Sequence, residues 1–276
     1  MTNIFTVDLE DWFHVCGVSA FSREQWRTLP SRVEATTRWL LDALDRSGVR
    51  ATFFVLGWIA NQHPQLVAAV RSAGHEIGSH GQDHVRAYEL TPETFTRDLR
   101  SSVSALKAIG LPSVTCFRAP EWSINDRSLW ALGALAKEGF TIDASMAPVR
   151  IVGSPKFPRH PHLRRTVSGN IMEVPPLVAD RFGQAMPLGW GWGLRMSSPR
   201  RVLRRIEEVN RHGLPAVLTV HPWELDVDPP RVRLSPKTHF AHYFRLEGFR
   251  NRLQSILNGA PFGPMGSLAT GCTRAS

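Results

Sequence analysis

The feature that most limits what this chain can become is a rhythm. Between residues 4 and 143, short apolar runs alternate with amphipathic stretches of helical period, four times over. The runs fall at residues 4–9, 51–56, 75–78, 114–117 and 140–142, and are rich in β-branched and aromatic residues. Between them, residues 31–44, 64–72, 91–106 and 125–135 place Leu, Val and Phe at intervals of three and four, and each stretch closes on a glycine (Gly48, Gly74, Gly110, Gly139). Ser31, with Glu34 three positions on, has the spacing of a capping box, and Pro92 stands at the first helical position of its segment. Parallel strands need a crossover connection, and a helix is the usual one. The rhythm therefore predicts an α/β architecture built on a parallel sheet.

The second half reads differently. Prolines at 148, 155, 158, 161, 175, 176 and 187 mark residues 146–193 as a long irregular insert, with short β pieces such as Ile171-Met172-Glu173-Val174. A helix is expected at 199–210, a last strand at 216–220, loop from Pro229 onward, and an amphipathic helix over 247–257. Residues 1–257 read as one domain, and the Gly-, Ala- and Ser-rich stretch 258–276 as a flexible tail. With 42% hydrophobic and 21% charged residues, 276 residues suffice for a substantial core. The net charge of +9 favours an anionic partner. Its densest runs, 159–165 and 200–205, come with no nucleic-acid motif, and the second has the spacing of a solvated helix face. Three cysteines (Cys16, Cys116 and Cys272) form no disulfide framework and suit a reducing compartment. The first residues lack a basic and apolar leader pattern, and no apolar run reaches the roughly 20 residues that span a bilayer. The expectation is a cytoplasmic protein, with peripheral membrane contact left open.

Reactive side chains gather where the strands end. The first strand runs into Asp8-Leu9-Glu10-Asp11, and burying three carboxylates is costly unless a cation or a proton relay offsets them. His80 and His84 are four apart, a spacing that on a helical turn brings two imidazoles to one ion. Two histidines and one carboxylate leave open positions on a metal, as hydrolysis requires. A spare carboxylate would then serve as base, His221 as acid, Asp143 as the group that holds that imidazole, and Arg118 as the group that orients the base. Capping or core packing explains any one of these residues, but not the set at consecutive strand ends. Gly189-Trp190-Gly191-Trp192-Gly193 reads equally as a tight packing turn or as a wall on which a sugar stacks.

On these motifs the chain resembles the NodB-type polysaccharide deacetylases, carbohydrate esterase family four. Thr6-Val7-Asp8-Leu9-Glu10-Asp11, His80-Gly81-Gln82-Asp83-His84, Arg118-Ala119-Pro120, Asp143-Ala144-Ser145 and Thr219-Val220-His221 stand in the order of that family's five motifs. Residues 8–15, 118–124, 221–226 and 239–243 further resemble a subgroup encoded in exosortase-associated exopolysaccharide loci, whose C-terminal segment would be residues 222–257. The resemblance implies a distorted (β/α)7 barrel that removes N-acetyl groups from an amino sugar of an exopolysaccharide or its lipid-linked precursor. The metal it implies is zinc, with cobalt or nickel as substitutes. By the resemblance Asp8 is the base, Arg118 holds it, His221 is the acid tuned by Asp143, and His80 and His84 are ligands. Pro120, Trp122, Trp190, Trp192 and Trp223 are the expected glycan contacts.

The family's first motif has adjacent aspartates, whereas Leu9 intervenes here. Strand alternation puts Asp8 and Glu10 on one side, so Glu10 is the first choice for third ligand and Asp11 the second. Two rival readings share the sequence: a metal-independent amidohydrolase on the same fold, and a carbohydrate-binding protein without catalysis.

Overall fold

The computed structural model describes residues 1–15, 18 and 21–268. In chain order its elements are β1 (Asn3–Leu9), α1 (Val33–Arg46), β2 (Thr52–Val55), α2 (Gly57–Gln62), α3 (Pro64–Ser72), β3 (Glu76–Ser79), α4 (Pro92–Ala108), β4 (Cys116–Phe117), α5 (Trp130–Lys137) and β5 (Ile142–Asp143). There follow β6 (His162–Thr166), β7 (Gly169–Glu173), β8 (Val178–Arg181), β9 (Gln184–Pro187), α6 (Gly191–Met196), α7 (Pro199–Arg211), β10 (Val217–Val220), α8 (Pro236–Tyr243), α9 (Phe249–Leu257) and β11 (Phe262–Gly263).

The sheet runs β10-β1-β2-β3-β4-β5-β7-β6. Every pairing from β10 to β7 is parallel, and only β6 joins antiparallel. The gap between β7 and β10 is bridged by single bonds: the Leu177 N–H donates to the Val217 carbonyl, and the Thr219 N–H to that of Gly189. The result is a curled, distorted seven-strand barrel, the α/β fold that the alternation implies. β1 is buried along its whole length, and α1 turns Val33, Thr36, Leu40 and Leu44 inward, as its apolar spacing requires.

Register decides the site. Val7 pairs with Val220, so Asp8 comes level with His221. Ser79 pairs with Phe117, so His80 comes level with Arg118. Phe117 pairs with Asp143, and Asp143 with Glu173. Parallel strands put all these carboxyl ends at one mouth of the barrel.

Several expectations need correction. The insert is ordered as two antiparallel hairpins, β6–β7 and β8–β9. The stretch after Pro229 contains α8, whose apolar residues do not follow a helical stripe and so gave no periodic signal. The tail is anchored at its start, where β11 pairs with β1 and Met265 is fully buried. Residues 269–276, like Cys16 and Cys272, lie outside the described residues; Cys116 is buried and free. The helix at 125–135 begins later, as α5 at Trp130. Among the described residues, no helix is long and apolar enough to cross a membrane.

Candidate metal and catalytic centre

Glu10 follows directly on β1, and its Oε1 lies 2.9 Å from Nε2 of both His80 and His84. His80 Nδ1 is 2.8 Å from the carbonyl of Arg118. A carbonyl can only accept, so Nδ1 carries the proton. Nε2 of His80 then directs a lone pair at a carboxylate oxygen unless the ring takes a second proton or a cation lies between them. The donor set of two imidazoles and a carboxylate within 4.8 Å of one another therefore fits a divalent metal. Burial would raise the Glu10 pKa, but His84, His221 and the two imidazole contacts hold the carboxyl well below its ordinary range.

The two histidines sit on a loop rather than the helical turn expected. Gly81 has φ +77°, and a Cβ there would lie 2.9 Å from Asp98 Oδ2. Asp98, on α4, accepts the Gln82 N–H at 2.8 Å and so holds the loop. Its pKa is pushed up to about 6 by burial. His84 itself is left-handed, with φ 53°.

Asp11 points elsewhere. Its carboxylate accepts the N–H groups of Trp12 (2.9 Å) and Arg32 (3.1 Å) and the Ser31 hydroxyl (2.6 Å). It thus caps α1, the role expected of Ser31, whose hydroxyl is spent as a donor to it. Strand alternation explains the division between the two acids: Glu10 shares the inward side of Asp8, and Asp11 does not.

Asp8 Oδ1 accepts from Arg118 Nη1 at 2.7 Å, and both side chains are buried. Arg118 also donates to Thr6 Oγ1 and to the Ala144 carbonyl. The other Asp8 oxygen, Oδ2, lies 3.7 Å from His221 Nε2. His221 Nδ1 donates to Glu224 Oε2 at 2.9 Å, and the His221 backbone N–H donates to the same oxygen. Behind it, Glu224 Oε1 is 2.8 Å from Arg195 Nε, with both side chains fully buried. Burial depresses the His221 pKa, but the carboxylates of Glu10, Glu224 and Asp8 outweigh it and lift the value to about 9. Burial would likewise raise Glu224, yet His221 and Arg195 hold it below the usual range.

Asp143 is therefore not the partner of this imidazole. Its carboxyl accepts from Ser145 Oγ at 2.5 Å and is hydrogen-bonded to Glu173, its register partner on β7. Burial pushes both acids up, and Asp143 pushes Glu173 further, well above its ordinary value. Two carboxyls level with each other on adjacent buried strands share one proton.

Glu10, His84 and His221 open into a cleft of about 790 Å³. Trp122, Trp190, Trp192 and Trp223 line it, whereas Pro120 is buried and does not. Trp223 is stacked between His221 (5.3 Å) and His242 (4.3 Å). Glu121 and Trp122, at its edge, have φ 54° and 51°, conformations that cost non-glycine residues about 1–3 kcal/mol each and that cluster at functional sites. The C-terminal segment adds α8, and the carbonyls of Ala241 and His242 at its end and of Phe244 just beyond it accept from Arg195.

Sequence reasoning missed Glu224, Arg195, Glu173, His242 and His14. Glu224 had a local signal: it stands three residues beyond His221 in a turn that opens on a proline. Arg195 had none, since its partner is 29 positions away in sequence.

Residues 28–139 match the family model for polysaccharide deacetylase, and residues 144–270 match a domain of unknown function, DUF3473. Among curated relatives, a peptidoglycan N-acetylglucosamine deacetylase of Listeria monocytogenes is 33% identical over 100 residues, 36% of this chain and 21% of that protein. Chitin deacetylase 2 of Saccharomyces cerevisiae is 33% identical over 101 residues, 37% of this chain and 31% of the relative. The chain thus spans under a third of the length of these relatives. A crystal structure described as a polysaccharide deacetylase from Mycobacterium smegmatis superposes with a TM-score of 0.64 at 20% identity, covering 99% of this chain and 92% of the other, which shows the fold.

Proposed function

We propose that this chain, whose residues 28–139 match the polysaccharide deacetylase family model, is a metal-dependent hydrolase releasing acetate from an N-acetylated glycan. The observation that carries this reading is the placement of Glu10, His80 and His84 beside the Asp8–Arg118 pair and His221, with Glu10, His84 and His221 lining one cleft. A metal-free amidohydrolase would leave the lone pair of His80 facing the Glu10 carboxylate with nothing between them but a second proton on the ring.

Glu10, His80 and His84 would hold the cation, which would supply polarisation of the acetamide carbonyl and of the attacking water. Asp8 takes the proton of the attacking water, and Arg118, 2.7 Å from its Oδ1, keeps the carboxylate pointed. As the C–N bond breaks, His221 gives its Nε2 proton to the amine. Glu224 fixes the ring by its Nδ1–H, so that Nε2 faces the reacting atoms, and Arg195 keeps Glu224 charged. The products are acetate and a free amine. Zinc suits an imidazole and carboxylate set. An exopolysaccharide, free or lipid-linked, is the substrate proposed, and a cytoplasmic setting goes with it.

The test is acetate release from a panel of N-acetylated glycans, with and without a chelator. Activity that a chelator abolishes and zinc restores supports the reading. A folded protein that takes up no metal and gains no activity with zinc would refute it.

A further inference from the structure

Among the described residues that line the cleft, His14 Nε2, Trp122 Nε1 and His242 Nε2 are buried without a partner, and the first two are N–H donors with no role in the chemistry above. His14 Nδ1 accepts the Asp11 N–H at 2.8 Å. Nδ1 therefore carries no proton, and in the neutral ring Nε2 does. The ring is 2% exposed and boxed edge-to-face by Phe13 (4.7 Å), Trp26 (4.4 Å) and Trp58 (5.1 Å), with His84 6.2 Å away. Its Nε2 is buried and has no partner among the described residues.

The second donor is the indole N–H of Trp122, which can only donate. Trp122 is 5% exposed, its ring lies against Trp190 (5.2 Å) and edge-on to His221 (6.3 Å), and its Nε1 is likewise buried without a partner among the described residues. Both residues line the same cleft, His14 on the metal-ligand side and Trp122 on the acid side. Buried polar atoms are almost always hydrogen-bonded, and leaving one unpaired costs about 1–3 kcal/mol. Two such atoms flanking one reaction centre mark places where a ligand supplies the acceptors.

We propose that His14 Nε2–H and Trp122 Nε1–H are specificity-determining donors that bind neutral oxygens of the sugar, its hydroxyls or amide carbonyl, on either side of the reacting acetamide. The proposal rests on the deacetylase reading for the identity of the ligand. Neutral donors match uncharged oxygens, and the Trp190, Trp192 and Trp223 rings beside them match the apolar face of a pyranose.

The test is calorimetric binding of N-acetylated tetrasaccharides, from chitin and from peptidoglycan, to zinc-loaded Asp8→Asn protein. His14→Asn retains an acceptor for the Asp11 N–H but lacks the outer N–H, and Trp122→Phe retains a ring without its N–H. Each change is expected to raise Kd by about five- to tenfold, with zinc affinity unchanged. Unchanged Kd in both variants overturns the proposal, as does a fall in zinc affinity parallel to that in glycan affinity, which would place His14 in the service of the metal site. Binding that depends on both donors, in a protein whose Asp8-intact form releases no acetate, keeps the subsite and refutes the deacetylase reading. No binding of either tetrasaccharide refutes both.

Discussion

Replacing Glu224 with glutamine should move the basic limb of the pH–rate profile toward neutrality. A general acid works protonated, so activity is present below the His221 pKa and lost above it. That pKa is lifted to about 9, with Glu10, Glu224 and Asp8 together outweighing burial. A cation held by Glu10 offsets that residue's share, which leaves Glu224, 2.9 Å from Nδ1, as the direct support. An opposite charge this close is worth about 1–3 pKa units, or roughly 1.4–4 kcal/mol. The substituted amide still accepts the Nδ1–H through its carbonyl oxygen, so the ring stays oriented while the charge is gone, and the limb should fall by about 2 units. Arg195 loses its carboxylate but keeps the carbonyls of His242 and Phe244. Circular dichroism and Tm check that the variant folds, since a broken buried pair costs about 3–5 kcal/mol. The assay is kcat/KM for acetate release between pH 5 and 10. Asp143→Asn, with its carboxyl bonded to Ser145 and Glu173, should leave the limb in place. A folded Glu224→Gln enzyme with an unmoved limb, or an Asp143→Asn enzyme with a lowered one, would refute the assignment.

Three further outcomes are expected. Asp8→Asn should reduce kcat by at least about a hundredfold while zinc content by atomic absorption stays at the wild-type level, because Asp8 faces Arg118 and His221 rather than the two metal-facing imidazoles. Asp11→Ala should lower stability to urea by about 1–2 kcal/mol through the lost cap of α1, and again leave zinc content unchanged. Zinc at a hundred times its Kd should stabilise the fold by about 2.7 kcal/mol in thermal unfolding, and His80→Ala should remove that increment.

The amino-acid pattern alone determined the parallel α/β class, since strand–helix alternation with glycine stops permits little else. It also determined which side of β1 the acids take: period-2 alternation put Glu10 with Asp8, and Glu10 is the acid that meets the histidines. That His80 and His84 could share an ion was legible from their spacing, although a left-handed loop rather than a helix joins them.

Register and long-range packing decided the rest. Asp143 read as the partner of His221 because both end strands, but pairing of β5 with β7 sets Asp143 level with Glu173, and two buried carboxyls take up one proton between them. The support of His221 passed to Glu224, close in sequence, and through it to Arg195, which no local pattern could have placed. Helix α8 carries no apolar stripe, and most of its residues line the cleft rather than a core. Local chemistry is written in intervals of two, three and four residues. Which strand lies level with which, and which distant arginine reaches a buried carboxylate, is settled only when the barrel closes.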